Sequence, residues 1–339
     1  MRPGIHLSTL SGSCQYEGET LLDNLIFSLN STVPLFLIML LGYFLKKKNF
    51  LSDGFIADAN KLVFHVTLPV LLFLDMAQTD IRGSFDGPYV MYCAAVTTVS
   101  ILAIWLSARL FIRDRSLIGE FVQASYRSSA AILGVAFIQL IYGTAGMSGL
   151  MIIGCVPLYN IFAVLILVLE CPDRAGRDEH LPDKLKHSLL KIITNPIILG
   201  ILIGSIFGFF RIPLCKMAVS GLDYVGRLTT PLALLAIGAG FKGREAVSEI
   251  KLTGIATAIK LVILPAVFLP LAVRCGFTGE KLVAILIMLG SITTPASYVM
   301  AKQMGHKGTL TASVCVCTTV FSSFTLTFWL FLASCLGWL

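Results

Sequence analysis

The sequence predicts an all-α polytopic membrane protein, and three observations support that fold class. Of its 339 residues, 56% are apolar and 13% are charged, and the mean hydropathy is +0.85. A soluble domain carries about 25% charged residues. Several apolar runs reach the roughly 20 residues needed to cross a ~30 Å hydrocarbon core. The longest polar connection, residues 171–184, is too short to fold alone.

Apolar runs and the polar, glycine or proline breaks between them predict ten membrane spans. The polar residues 1–21 are expected to be a disordered tail or the product of an over-long start site. Residues 22–170 and 192–339 then form two five-span units joined by a loop at 171–191. The predicted spans are roughly 30–46, 56–76, 88–110, 118–141, 148–170, 192–210, 215–240, 251–273, 281–303 and 310–335.

Lysine and arginine are unequally divided between the two sets of loops, which predicts the orientation of the chain. Sixteen of them flank the loops that follow odd-numbered spans, against six on the other side. Because cytoplasmic loops carry the excess of basic residues, we expect both termini to lie outside the cytoplasm. The chain is expected to be a multi-pass protein of a bacterial inner membrane.

The remaining composition argues against several function classes. The net charge of +7 is spread over short clusters between apolar spans, so it does not indicate a nucleic-acid partner. The nine cysteines show no CxxC or metal-ligand spacing. No GxSxG, HExxH or P-loop is present, and the GxGxxG match at 238–243 ends a span with no strand before it. We therefore expect no enzyme activity, no metal and no cofactor.

Short matches between the two five-span units indicate an inverted repeat. Pro69 in span 2 and Pro231 in span 7 each follow a charge-capable residue by four positions, His65 and Arg227. Spans 4 and 9 both open with the dipeptide Gly-Glu. Two halves of opposite orientation are typical of transporters. The candidates for hinges or coupling are His65, Pro69, Asp75, Arg227 and Pro231.

Span 9 contains a polar break, GSITTPASYVMAKQMG at 290–305. Pro295 has no N–H and its ring clashes with the carbonyl of Ser291, so the helix must kink or open there. A half-helix that begins near Ala296 would direct unpaired N–H groups and a positive dipole end at the middle of the membrane, which suits an anion. The alternative is a simple kink whose carbonyls are satisfied by nearby hydroxyl groups.

Span 4 carries an arginine, Arg127, about nine residues from its start. A central arginine costs at least about 2.5–3.5 kcal/mol to insert, so it should face a partner or an aqueous cavity. It could hold a substrate anion, or it could form a structural ion pair with Asp75, Glu120 or Asp223. Gly134 offers a second flexible point in this span.

Other polar residues inside the spans have competing interpretations. Lys61 and Lys260 are expected to snorkel to the cytoplasmic interface. His65 could carry a proton or simply be a packing residue, and Asp75 could be solvated at the outer face. Gly200, Gly204 and Gly208 form a small-xxx-small face in span 6 that predicts close helix packing.

Six stretches in order along residues 22–335 resemble the auxin efflux carrier family in its bacterial branch. The resemblance implies two inverted five-helix repeats, with spans 1, 2, 6 and 7 as a scaffold and the others as a transport unit. Spans 4 and 9 would be broken and would cross at Ser129–Ala136 and Thr293–Ser297. The family often has Asn at the position of Ser129 and Pro at that of Ala136. The stretches are LVFHVTLPVLLF, QASYRSSAAILG, YNIFAVLILVLE, NPIILGILIG, TPLALLAIGAGF and TPASYVMAKQMG.

The resemblance also implies a homodimer and organic-anion substrates, which are auxin in plants and malate- or malonate-type carboxylates in some bacteria. We therefore predict a secondary carrier for a small organic anion that works by alternating access in the lipid bilayer. The alternatives are a proton- or sodium-coupled carrier of another substrate, a channel, or a membrane sensor. The predicted substrate-binding residues are Arg127, Ser128, Ser129, Gly134, Tyr159, Asn160, Thr293, Thr294, Pro295, Ala296, Ser297 and Tyr298.

Overall fold

The computed structural model describes residues 26, 29–30, 32–78, 86–130, 138–139, 141–142, 146–171, 194–241 and 243–339. Four predicted features lie wholly or mostly outside these residues. They are the N-terminal tail, Gly134, residues 131–136 of the predicted crossing segment Ser129–Ala136, and nearly all of the loop at 171–191.

The described residues fold into helices, with no strand longer than a single bridge. Five helices are long and apolar enough to span a membrane: Asp53–Ala77, Gly87–Phe111, Met147–Leu169, Ile250–Arg274 and Thr309–Cys335. A multi-pass, all-helical membrane protein is therefore confirmed for this part of the chain. We number the main helices α1 (32–47), α2 (Asp53–Ala77), α3 (Gly87–Phe111), α4 (Ile118–Tyr126), α5 (Gly146–Leu169), α6 (Pro196–Phe210), α7 (Lys216–Arg227), α8 (Thr229–Gly240), α9 (Ile250–Arg274), α10 (Glu280–Gly290), α11 (Ala296–Gln303) and α12 (Thr309–Cys335).

Helices α2 and α6 pack so closely that their backbones touch. A Cβ added at Gly200 of α6 would lie 2.6 Å from the carbonyl oxygen of Pro69, and one added at Gly204 would lie even closer to the carbonyl oxygen of Phe73. Since only glycine leaves room for this approach, the small-residue face predicted in span 6 does form a close helix contact at these two positions. A glycine also allows close contact between α1 and α8, where Gly238 packs against the backbone of Met39.

The other helices surround α4 and α10, which are almost wholly buried. Every residue of α4 from Ile118 to Tyr126 is buried, and so is α10 from Leu282 to Gly290. Helix α4 contacts α3, α5, α9 and α12, whereas α2 contacts α6 and α7. The described helices thus fall into two packing groups. We call α1, α2, α6, α7 and α8 the glycine-packed group and the remainder the central group.

Proline changes the helical ladder at two points. The π-helical turns Val63–Thr67 in α2 and Ile259–Ile263 in α9 are each followed by a Leu-Pro pair. Proline has no N–H to donate and crowds the preceding turn, so the hydrogen bonds there shift to longer spacing. A further break at Leu228 separates α7 from α8 just before Pro231.

The two Gly-Glu dipeptides serve one structural purpose in opposite halves of the chain. Glu120, at the start of α4, accepts hydrogen bonds from the backbone N–H groups of Gly308 (2.7 Å) and Thr311 (3.1 Å) at the start of α12. Glu280, at the start of α10, accepts one from the N–H of Met147 (2.8 Å) at the start of α5. Each carboxylate satisfies otherwise unpaired N–H groups and complements the positive helix end.

Candidate functional site

The backbone leaves the helical conformation at two places that meet inside the central group. Helix α4 ends at Tyr126 and Arg127 is extended (φ −76°, ψ 110°). Helix α10 ends at Gly290 and Ser291 is extended (φ −79°, ψ 173°). These segments pair through an antiparallel bridge between Ser128 and Thr293. We call residues 127–129 and 291–295 together the crossing.

Backbone N–H groups of the crossing are hydrogen-bonded within the protein although they lie outside helices. The N–H of Ser129 donates to the carbonyl of Ile292 (3.0 Å), and that of Thr294 donates to the carbonyl of Arg127 (3.4 Å). Thr293 is held on both sides, because its N–H donates to the Thr318 hydroxyl (3.1 Å) and its hydroxyl donates to the carbonyl of Ala124 (2.9 Å). Non-helical backbone inside a membrane protein is tolerated where it is paired in this way.

Helix α11 begins at Ala296, as the proline predicts, but most of the expected anion-holding amides are occupied. The N–H groups of Ser297 and Tyr298 donate to the carbonyls of Thr294 (3.0 Å) and Pro295 (3.1 Å). The N–H of Ser129 is taken up by the crossing itself. A carboxylate bound by these three N–H groups would therefore have to replace hydrogen bonds that already exist within the protein. Side chains must supply most of any anion-binding capacity.

Arg127 is the main candidate among those side chains. It is 3% exposed, and its guanidinium donates to the Asn160 side-chain oxygen (2.5 Å) and contacts the sulfur of Met300. Asn160 is oriented by a hydrogen bond from its own amide nitrogen to the carbonyl of Val156 (2.9 Å).

The structural ion pair that was the alternative role for Arg127 is not found among the described residues. Glu120 instead caps α12, and Asp223 pairs with Arg227 at 2.7 Å. Asp75, the third expected partner, forms no ion pair with Arg127. The guanidinium is thus buried against one neutral amide and one thioether.

Lys260 corrects the sequence analysis, which expected it to snorkel. Its side chain is fully buried and its ammonium donates to the Ser128 hydroxyl (2.7 Å) and to the carbonyl of Tyr126 (3.2 Å). Lys260 is the eleventh residue of the 25-residue helix Ile250–Arg274, so it lies near the middle of that span. A lysine at this depth is too far from either helix end to snorkel to the interface. Lys260 therefore supports the crossing from α9.

A cavity of about 60 Å³ lies beside the crossing, between the two packing groups. Such a volume holds a few water molecules. Tyr159, on one wall, is fixed by donation from its hydroxyl to the carbonyl of Met288 (2.8 Å). The lining residues are Leu68, Leu71, Leu72, Asp75, Arg127, Ser128, Ser129, Ala130, Val156, Tyr159, Asn160, Thr229, Thr230, Thr294 and Ala296.

Of the predicted substrate-binding residues that the structure describes, seven line the cavity and four do not. The seven that line it are Arg127, Ser128, Ser129, Tyr159, Asn160, Thr294 and Ala296. Thr293, Ser297 and Tyr298 are buried and do not line the cavity. Pro295 does not line it either and is the N-cap of α11.

Of the five hinge and coupling candidates, one lines the cavity and four do not. Asp75 lines the cavity. His65 and Arg227 are exposed and do not line it, and His65 hydrogen-bonds to the carbonyl of Lys61 (3.0 Å). Pro69 and Pro231 lie in the glycine-packed group.

Two lining residues, Thr229 and Thr230, were absent from the sequence analysis. The sequence carried a signal for them, because Thr-Thr-Pro occurs at 229–231 and again at 293–295. The Thr229 hydroxyl donates to the Thr67 hydroxyl (2.9 Å), which ties the start of α8 to the π-helical turn of α2.

A comparison with models of known protein families gives a match over nearly the whole chain. The model of the membrane transport protein family matches residues 27–330. The chain belongs to this family. It is the auxin efflux carrier family that the sequence resembles.

Individual relatives are distant but extend over most of both chains. An uncharacterized transporter of Methanocaldococcus jannaschii, MJ1031, is 23% identical over 301 residues, which cover 86% of this chain and 94% of the relative. The uncharacterized transporter YfdV of Escherichia coli strain K12 is 21% identical over 87% of this chain and 94% of its own length. An uncharacterized transporter of Methanothermobacter thermautotrophicus is 20% identical over 89% of this chain and 97% of its own.

Proposed function

We propose that this membrane transporter is a secondary carrier for a small organic anion, a mono- or dicarboxylate, which binds at the crossing. The observation that supports the proposal is a pair of buried cations, Arg127 and Lys260. Neither forms an ion pair with a carboxylate among the described residues. Buried charges are costly unless they are paired, so a site of this kind favours an anion from solution.

The two cations have different parts in this proposal. Arg127 lines the cavity, and its planar guanidinium can hold a carboxylate through two parallel hydrogen bonds. Its present partners, an amide oxygen and a thioether, are weaker acceptors than a carboxylate. Lys260 holds the Ser128 hydroxyl and the Tyr126 carbonyl from behind, which fixes the segment that carries Arg127 and adds positive potential.

Ten spans in two inverted repeats are part of the same proposal. The reciprocal caps support it, since Glu120 caps the last helix of the second unit and Glu280 caps the last helix of the first. In carriers built from inverted repeats, one part of the structure moves against another around a site at mid-membrane.

The two packing groups suggest the moving parts. We assign the glycine-packed group as the scaffold, with a homodimer formed through it, and the central group as the transport unit. Pro69 and Pro231 would lie on the scaffold side of the boundary, next to the π-helical turn and the break at Leu228. Placement in a bacterial inner membrane with both termini outside completes the proposal.

Counterflow in proteoliposomes tests it most directly. Vesicles loaded with one unlabelled carboxylate are given the same labelled acid outside, over a panel of mono- and dicarboxylates. We expect transient uptake of at least one acid, and its loss in Arg127→Ala but not in the surface variant Arg113→Ala. Labelled acid that only equilibrates across the membrane, without transient accumulation in the vesicles, would indicate a channel. Binding without flux would indicate a sensor, and no uptake of any acid would refute the proposal.

A further inference from the structure

The carboxyl-terminal end of helix α4 faces a buried ammonium group. Helix α4 ends at Tyr126, where the backbone becomes extended. The last carbonyl groups of a helix have no partner within it and form the negative end of the helix dipole. Lys260 of α9 is fully buried and donates to the Tyr126 carbonyl (3.2 Å) and to the Ser128 hydroxyl (2.7 Å). A fixed cation therefore lies at the negative end of this half-helix.

The same ammonium group reaches the second half-helix of the crossing through one hydroxyl. The Ser128 hydroxyl, which accepts from Lys260, donates to the carbonyl of Leu289 (3.5 Å) near the end of α10. The carbonyl of Met288 next to it accepts from the Tyr159 hydroxyl (2.8 Å), so neutral donors bond this end directly. Lys260 is thus the positive group that both half-helix ends share.

Lys260 lies in a turn of α9 that a proline makes irregular. The π-helical turn Ile259–Ile263 precedes Pro265. Because Pro265 has no N–H, the Leu261 carbonyl lacks the helical donor that this position would otherwise supply. That carbonyl accepts the indole N–H of Trp329 of α12 instead (3.0 Å). The turn that carries Lys260 is thereby fixed to the central group.

Among the described residues, the helices packed against α9 provide no carboxylate for Lys260. They are α3, α4, α10 and α12, of which α3 and α12 contain no acidic residue. Glu120 of α4 caps α12, and Glu280 of α10 caps α5. Arg127, the other cation at the crossing, bonds Asn160. The ammonium group is therefore held by carbonyl and hydroxyl oxygens, and oxygen atoms are also the ligands that hard metal cations prefer.

We propose that the Lys260 ammonium group takes the place of a coupling cation, so that the carrier moves its organic anion without sodium or another metal ion. The inference rests on the proposed function, because it concerns the same crossing. In ion-coupled carriers built from inverted repeats, unwound backbone carbonyls and half-helix C-terminal ends coordinate the ion. Here a cation tethered to α9 bonds groups of that kind. Since α9 packs against α4, α10 and α12, Lys260 stays with the crossing when the central group moves.

Counterflow in buffers of different cations tests whether a free ion is needed. The acid identified by counterflow is supplied as its sodium, potassium or choline salt, with no other salt present. We expect wild-type protein to transport at the same rate in all three. A requirement for sodium or potassium would overturn the inference while leaving the anion carrier intact. Absence of counterflow in every buffer would instead refute the proposed function and this inference with it.

Removal and replacement of the tethered cation test the role of Lys260 itself. Lys260→Ala removes a group of the size of propylammonium, and counterflow should fall at least about tenfold because the crossing loses a charged hydrogen-bond donor. Added propylammonium should restore part of the rate and raise the unfolding temperature of this variant. Propanol, which has the same number of heavy atoms but no charge, should do neither.

Two further variants control for packing and for unspecific effects of the additives. Lys260→Met fills the space, so neither additive should restore its rate. Lys251→Ala removes an exposed lysine from the same helix and should transport like the wild type. The unfolding temperature reports amine binding even where the alanine variant transports nothing. Equal effects of propylammonium and propanol on Lys260→Ala, or no effect of the amine on its rate and unfolding temperature, would show that Lys260 acts by packing alone and would overturn the inference.

Discussion

The contact between α2 and α6 and the crossing are both tight, but opposite chemistry holds them together. At the first contact, glycines let two apolar helices meet through their backbones. At the crossing, paired backbone, hydroxyl groups and two buried cations replace the helical ladder. The first arrangement tolerates no added volume, whereas the second tolerates no missing hydrogen bond. Substitutions in the two regions should therefore fail for different reasons.

The largest loss of stability is expected from Gly200→Val. Its Cβ would lie 2.6 Å from the carbonyl oxygen of Pro69, so one of the two backbones must move. Overpacking of this kind costs about 1–3 kcal/mol and can cost more when backbone must shift. Thermal unfolding in detergent measures the effect. Gly254→Ala is the control, because a Cβ there meets nothing within 4 Å; equal stability of the two variants would contradict the close packing.

A smaller loss of stability, but a large loss of transport, is expected from Lys260→Met. Methionine fills similar space but donates nothing, which leaves the Ser128 hydroxyl and the Tyr126 carbonyl without this partner at a cost of about 1–3 kcal/mol. Counterflow should fall at least about tenfold, since a loss of 1.4 kcal/mol in anion binding is already tenfold. The control is Lys251→Met, which removes an exposed lysine from the same helix. Matched rates in the two variants would show that Lys260 has no part in the site.

These two predictions separate what sequence patterns reveal from what they miss. The glycine face was predictable because a four-residue spacing is local to one helix. Pro295 marked the break in span 9 for the same reason, since proline acts on its own turn. The break at Arg127 has no proline, and the residues alone gave no reason for the helix to end there. It opens where Ser128 and Ser129 pair with a segment about 160 residues away.

The position of Lys260 was not predicted, for a different reason. Its charge was visible, but its partners are the Tyr126 carbonyl and the Ser128 hydroxyl on another helix, more than 130 positions away. Arg127 was identified as a site residue, yet the neutral partners that replace the expected carboxylates were not. Long-range polar pairing of this kind depends on which helices become neighbours, and a single sequence does not specify that.

An intermediate effect is expected from Thr318→Val, which probes the hydroxyl support of the crossing. The Thr318 hydroxyl accepts the N–H of Thr293 (3.1 Å), and a buried donor left without a partner costs about 1–3 kcal/mol. Unfolding in detergent should show that loss, with some decrease in counterflow because Thr293 pairs directly with Ser128. Thr325→Val, at a half-buried position of the same helix, is the control. A neutral Thr318→Val would mean that the Thr293 N–H finds another acceptor.

The smallest effect is expected from Pro295→Ala, although proline is the residue that first marked the break. Two contacts hold the crossing without it: the Thr294 N–H bonds the Arg127 carbonyl (3.4 Å), and Ser128 pairs with Thr293. Alanine could restore a continuous helix only by giving up these bonds and the Thr318 support, so we expect the segment to stay extended. The change in unfolding free energy should be within about 1 kcal/mol, the usual scale when proline is exchanged at a compatible site.

A thiol-labelling experiment measures whether the break persists. A cysteine is placed at Thr294, in a background without native cysteines, and its reaction with a small water-soluble thiol reagent is followed. Protection of that cysteine in the alanine variant but not in the proline parent would show that Pro295, rather than the pairing, keeps the helix open.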